Sequence, residues 1–444
     1  MTQIVDQLIS CRWIATVTEQ NPLLEDYTLV VNHNKIVDLL PQDEVASRYQ
    51  AREHFQLGDH LLIPGLVNAH THAAMNLLKG YADDLPLMTW LNDHIWPAEG
   101  QLMSDEFVYQ GTQLAIAEMI RSGTTCFNEM YFMPQQVAKA ALEVGIRANI
   151  GLTVIDFPTA WAQNPAEYIS KGLAVFDQYK GESSLRFSFA PHAPYTVSDE
   201  PLLKIATLSQ ELDLPIHMHV HETAHEVNEA IKSTGKRPLQ RLHELGLLSP
   251  LFQAVHMTDL TSEDIQLVAD NGVHVMHCPE SNMKLASGFC PVGKLKDAGV
   301  NLAIGTDGSA SNNDLDMLGE MRSAALLAKV ASGQADCFSA HDALYCATMG
   351  GAKALGIDNL CGSIEVGKSA DLCAIDLNHI ATMPVFDPVA QLIYSASRDQ
   401  VSHVWTQGKL QLKDGQLTNI SLSECRAICE HWQTRLLQLK HNQS

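Results

Sequence analysis

Two patterns of apolar and polar positions divide the 444 residues of this chain. Toward both ends, short extended runs are broken by turn residues. "YTLVVNHNKIVDLLP" predicts two strands around the turn-prone Asn32-His33-Asn34. The same texture returns over 362–415, in "GSIEVGKSADLCAIDL" and "VSHVWTQGKLQLKDGQL". Between them stand eight short apolar or β-branched runs, at 61–67, 124–128, 146–151, 185–190, 215–220, 253–256, 273–277 and 301–306. Most are separated by segments of helical periodicity, such as "DEFVYQGTQLAIAEMIRSG" and "DEPLLKIATLSQELD". Buried runs alternating with helices imply a parallel sheet. Eight of them predict a (β/α)8 TIM barrel over 61–360, with a small β-sandwich domain built from both chain ends, 1–60 and 361–415. Residues 416–444 carry an amphipathic helix, "ISLSECRAICEHWQTRLLQLK". No repeat at a fixed period and no low-complexity stretch interrupts this plan.

Composition removes several classes of function. With 29 Lys and Arg against 51 Asp and Glu, the formal charge is −22, which argues against nucleic acid and anionic membranes as partners. No run approaches the ~18 apolar residues of a membrane span. The start "MTQIVDQLIS" lacks the basic stretch and apolar core of a secretory signal. Ten cysteines occur without C-x-x-C pairing, and Cys425 and Cys429 read as two free thiols on one helix face. A reducing cytoplasm is the expected location.

The candidate chemistry follows from position. In such a barrel the active site lies at the C-terminal ends of the strands. The residues there are His70 and His72 after the first run, His192 after the fourth, and His217, His219 and His221 at the fifth. His256 ends the sixth run, His277 the seventh, and Asp307 follows the eighth. Eight of the chain's 20 histidines thus fall on one rim. A lone histidine is ordinarily a satisfied core residue; this many converging is not explained that way. Neutral imidazoles with a carboxylate suit Zn²⁺. Residues two apart on extended backbone point to the same side, so His70 and His72 fit a common ion. The same rule leaves the choice among His217, His219 and His221 open. "HETAH" at 221–225 fits the H-E-x-x-H pattern of zinc proteases, but it begins where a strand is ending and its continuation is polar. The H-x-E…P-C-x-x-C signature of zinc cytidine deaminases is absent.

"PGLVNAHTH" closing an apolar run, with "GTDGSASNN" far downstream, resembles the amidohydrolase superfamily, and within it the adenosine-type and related aminohydrolases. The resemblance covers nearly the whole chain. It implies one Zn²⁺ per chain held by His70, His72, His219 and Asp307, with His219 chosen by its H-x-x-E spacing to Glu222. No lysine ends the fourth run, so the carbamylated lysine of a binuclear site is not expected. The resemblance further implies that Asp307 accepts a proton from water, Glu222 shuttles it to the leaving ammonia, and His256 orients the nucleophile. His192, in "APHAPYT", matches a substrate-contacting histidine.

Substrate clues lie outside the zinc site. Glu99, in "NDHIWPAEG", matches a glutamate that binds ribose hydroxyls in methylthioadenosine/S-adenosylhomocysteine deaminases; on its own it would read equally as a solvated glutamate at a helix start. "HCPESNMKLASG" at 277–288 is similar to the segment lining the adenine side there. The apolar, aromatic segment 76–96 is expected to cover the site. The third connection has no arginine between Arg147 and Arg186 and offers Phe157, Trp161 and Tyr168 instead, which favours a methylthio group over an amino-acid carboxylate. The resemblance therefore implies hydrolytic deamination of an adenosine-type nucleoside, preferably 5′-methylthioadenosine, with S-adenosylhomocysteine and adenosine as further substrates, by a homo-oligomer. The alternative within the superfamily is a hydrolase of another ring: guanine, a pterin or an s-triazine. A non-catalytic scaffold would have lost ligand positions, and none is lost.

Overall fold

The computed structural model describes residues 2–20 and 22–443. The N-terminal segment forms β1 (Gln3–Ala15), β2 (Leu23–Asn32), β3 (Lys35–Pro41), β4 (Tyr49–Gln56) and β5 (His60–Pro64). The barrel strands are β6 (Leu66–Thr71), β7 (Thr124–Glu129), β8 (Arg147–Val154), β9 (Leu185–Pro191), β10 (Ile216–Val220), β11 (Phe252–His256), β12 (His274–His277) and β13 (Leu302–Ile304). The chain then returns to the outer sheet as β14 (Leu372–Asp376), β15 (Val401–Thr406), β16 (Lys409–Lys413) and β17 (Gln416–Leu417).

Strands β6 to β13 pair in sequence order, all parallel. The ring is drawn together across its two ends by Asp307 N–H donating to the His70 carbonyl at 3.0 Å and Thr306 N–H donating to Asn68 Oδ1 at 3.0 Å. The interior is polar as well as apolar. Asn149 Nδ2 donates to Asn128 Oδ1 at 2.7 Å, and Asn128 Nδ2 donates to Gln253 Oε1 at 3.0 Å, so these amides satisfy one another out of water.

The second sheet is mixed, in the order β17-β16-β15-β14-β5-β1-β2-β3, with β4 lying parallel to β1. The antiparallel pair β5–β14 joins the two chain ends. Ile9, Leu29, Leu62, Leu372 and Trp405 share a buried core contributed from both ends, as the alternating patterns predicted. The C-terminal helix, Leu422–Gln443, seats Trp432 edge-on against Phe107 at 5.0 Å, and its indole N–H donates to Gln110 Oε1 at 2.7 Å. All ten cysteines are free thiols, and among the described residues no helix is long and apolar enough to cross a membrane.

One run was read too simply. The stretch 61–67 is two strands: Leu61–Ile63 belong to β5 in the outer sheet, and the barrel begins only at Leu66. Gly65 at the junction is pressed against the next strand, where a Cβ would lie 2.1 Å from Thr125 Oγ1. The Pro64-Gly65 pair was the available turn signal.

Candidate active site

The strand ends place the predicted groups on one rim. His70 lies within β6 and His72 just past it; His219 lies in β10, His256 ends β11, and Asp307 follows β13. His70 Nε2 is 3.2 Å from His219 Nε2 and 3.4 Å from Asp307 Oδ1, and His72 Nε2 is 3.2 Å from the same Asp307 oxygen. The ligand atoms of His70, His72 and His219 lie within 4.8 Å of one another, as do those of His70, His256 and Asp307.

Each imidazole is turned by its other nitrogen. His72 Nδ1–H donates to the Met130 carbonyl at 2.5 Å, and His219 Nδ1–H donates to the His192 carbonyl at 2.8 Å. A carbonyl can only accept, so in the neutral form of either ring Nε2 is a lone pair. His70 Nδ1 pairs with His217 Nε2 at 3.0 Å. Burial pushes His70 down to about 4 and holds His219 well below the usual imidazole value, so both are neutral at physiological pH. Asp307 is buried too, which would raise it; the hydrogen bond with His70 and the neighbouring imidazoles outweigh this and hold it well below the usual carboxylate range. Its Oδ2 accepts from Ser281 Oγ at 2.6 Å and Ser311 Oγ at 3.0 Å, and its Oδ1 from Gly308 N–H at 2.8 Å. His256 and Asp307 both adopt left-handed backbone, with φ of 74° and 62°. Such strain persists only where the surroundings hold it.

A cavity of about 460 Å³ opens above these groups. Glu222 enters it with Oε1 at 3.9 Å from His256 Nε2, and burial raises its carboxyl above the ordinary value. His256 Nδ1 pairs with Asn282 Oδ1 at 2.9 Å. His192 also lines the cavity, its ring 4.9 Å from that of His219, and burial lowers it to about 3. Glu99 also lines the cavity, buried, pushed up to about 7 by burial against the lowering effect of the Tyr131 hydroxyl that donates to it. Leu87, Trp90, Leu91 and Ile95, from the segment expected to cover the site, form part of the wall.

Three other strand-end histidines stand elsewhere. His217 lies behind His70, on the side away from Asp307. His221, at φ 51°, leaves the strand alternation; its Nδ1–H donates to the Asp259 carbonyl at 2.8 Å and its Nε2 accepts from Leu239 N–H at 3.2 Å. His277 is buried outside the cavity wall. The third connection also differs from expectation. Phe157 lines the cavity, but Trp161 does not, and Tyr168 is buried with its hydroxyl on Thr159 at 2.6 Å.

Both comparisons of sequence and structure point the same way. The model of the amidohydrolase family matches residues 61–411. The chain belongs to that family. It is 47% identical over 435 residues to a 5-methylthioadenosine/S-adenosylhomocysteine deaminase of Teredinibacter turnerae, covering 98% of each chain. It superposes on an adenosine deaminase from Xanthomonas campestris with bound zinc at a TM-score of 0.97 and 46% identity, covering 99% of this chain and 100% of that one. An atrazine chlorohydrolase from Arthrobacter aurescens shares the fold, with a TM-score of 0.89 at 21% identity, covering 96% of this chain and 99% of that one. In this amidohydrolase, several supporting groups escaped the sequence reading: Glu129, Tyr131, Ser281, Asn282 and Ser311. Only Glu129 carried a signal, since it too ends a predicted strand.

Proposed function

We infer that the chain is a zinc-dependent aminohydrolase of adenosine-type nucleosides, with the ion held by His70, His72, His219 and Asp307. The observation that carries this is a set of acceptors facing one another. His72 Nε2, a lone pair by virtue of its bond to Met130, stands 3.2 Å from Asp307 Oδ1. His219 Nε2, a lone pair by virtue of its bond to the His192 carbonyl, stands 3.2 Å from His70 Nε2. A proton on His70 could reconcile one such pair but not both; ligand atoms brought this close suit a metal ion. Three imidazoles and a carboxylate are donors typical of Zn²⁺.

When bound there, the ion supplies the Lewis acidity that makes water a nucleophile at neutral pH. The chain's own groups do the rest. Asp307 accepts a proton from the attacking water, its second oxygen fixed by Ser281 and Ser311. Glu222, with its raised carboxyl, donates its proton to the ring nitrogen beside the attacked carbon, relays the proton held by Asp307 to the departing amine, and is reprotonated by the added hydroxyl as the carbonyl forms. His256, whose Nδ1–H is taken up by Asn282 Oδ1, orients the attacking water by accepting from it at Nε2. The carbon–nitrogen bond to the exocyclic amine breaks, and ammonia leaves.

Glu99 places a carboxyl in the wall of the same cavity, suited to accept hydrogen bonds from two vicinal ribose hydroxyls. Among the described residues, no lysine or arginine lines the cavity. The arginines that might have gripped an amino-acid carboxylate are engaged: Arg147 with Asp371, Arg237 with Asp259 and Asp264, and Arg241 with Asp199. An apolar methylthio group is therefore the preferred 5′ substituent, and Phe157 is the side chain placed to meet it. Glu99→Ala is expected to lower kcat/KM for nucleosides by roughly 10–150-fold, the worth of about 1.5–3 kcal/mol for a lost charge-assisted contact. Slow turnover of free adenine should be unaffected. Equal losses on nucleoside and free base would assign Glu99 a structural role.

A further inference from the structure

We propose that Glu129 is a positioning residue for the His70–His72 arm of the metal site, a buried counter-charge that serves the bound ion and not the fold. The inference rests on the metal reading above and concerns a group that the chemistry does not touch. Glu129 ends β7, is 1% exposed and does not line the cavity. Its oxygens accept from Thr71 Oγ1 at 2.6 Å and from Ala73 N–H at 2.9 and 3.0 Å. Those two donors are the residues on either side of His72, so one carboxylate brackets the ligand in the chain. The β6–β7 register sets Thr71 directly opposite Glu129.

A carboxylate in this place is costly. Its hydrogen-bond partners are neutral, and among the described residues no lysine or arginine pairs with it. A buried charge with no opposite charge destabilises the fold that contains it. Fastening a loop does not require one; a neutral amide can hold a hydroxyl or an N–H. What a carboxylate adds is charge. A divalent ion held by three neutral imidazoles and Asp307 keeps one positive charge uncompensated, in an interior where such fields are weakly screened. Glu129, bonded to the residues on either side of His72 and not to its ring, supplies the opposing charge.

The sign of its effect therefore differs between the metal-free and loaded protein. The test compares wild type, Glu129→Gln and Thr71→Val by competition for zinc with a chelator and by thermal unfolding of the metal-free proteins. Glu129→Gln should raise the zinc dissociation constant by about 10–100-fold, with a metal-free Tm equal to wild type or higher. Thr71→Val, which keeps the charge and removes one hydrogen bond, should raise it by a smaller factor. Wild-type zinc affinity in Glu129→Gln would overturn the proposal. A lowered metal-free Tm, or a failure to fold, would overturn it as well, because Glu129 would then serve the fold. A rise in Thr71→Val as large as in Glu129→Gln would assign the effect to the hydrogen bond and overturn the counter-charge role. Absence of zinc binding by the wild type would instead refute the metal reading itself.

Discussion

Replacing His70 and His72 together by alanine should empty the metal site and abolish turnover. Purified wild-type protein is expected to carry about one equivalent of zinc, and the double variant little or none, because a structural donor set cannot be halved without losing the ion. On the proposed assignment the two rings supply half of the four donors, and each is pre-oriented by its Nδ1 partner. Loss of Lewis acidity removes several kcal/mol of transition-state stabilisation, which corresponds to a fall of at least about 10³-fold in kcat/KM. Elemental analysis is the direct readout, with thermal unfolding as a check that the barrel survives. The same measurement tests the assignment on β10. His219→Ala should lose the ion, whereas His217→Ala should keep it when zinc is supplied, since His217 meets only the far nitrogen of His70. The reverse result would exchange the roles of the two residues.

Glu222→Gln should leave the metal in place and stop the proton traffic. The amide preserves shape and one hydrogen bond but cannot give up and regain a proton at physiological pH. A fall in kcat of at least about 10²-fold is expected, with zinc content unchanged. Glu222 is placed for this role by its neighbours. Its N–H donates to Glu226 Oε2 at 2.8 Å, and its carbonyl accepts from Thr258 Oγ1 at 2.7 Å. The backbone is thus fixed on both sides while the carboxyl faces the cavity. Near-normal turnover in the variant would remove Glu222 from the mechanism.

The barrel and most of its rim were legible in the sequence because the C-terminal ends of parallel strands carry the chemistry, and apolar runs mark where strands end. His70, His72, His256 and Asp307 needed no more than that rule. The choice on β10 did. Alternation sends His217 and His219 to the same side, and only their different heights in the barrel separate them, a coordinate that sequence does not carry. His221 escaped the alternation because its backbone turns left-handed. Ser281 and Asn282 were illegible for a different reason: each is a small polar residue whose partner lies on another segment of the chain, whereas Ser311 stands four residues from Asp307. The first run was misread because Leu61–Ile63 and Leu66–Val67 are both apolar, and two residues of turn were outweighed by five apolar residues. Trp161 and Tyr168 were assigned to the cavity by composition alone; Tyr168 lies in the helix Pro165–Tyr179 and belongs to its buried face.

The most direct test of the account is ammonia release by the zinc-loaded protein from adenosine, 5′-methylthioadenosine, S-adenosylhomocysteine, guanine and cytosine in one buffer. The predicted result is release from the three adenine nucleosides and none from guanine or cytosine. The largest kcat/KM should belong to 5′-methylthioadenosine, exceeding S-adenosylhomocysteine by about 10–150-fold for want of a cation to meet the carboxylate. Turnover of guanine or cytosine above that of every adenine nucleoside would contradict the assignment of this site to adenosine-type substrates.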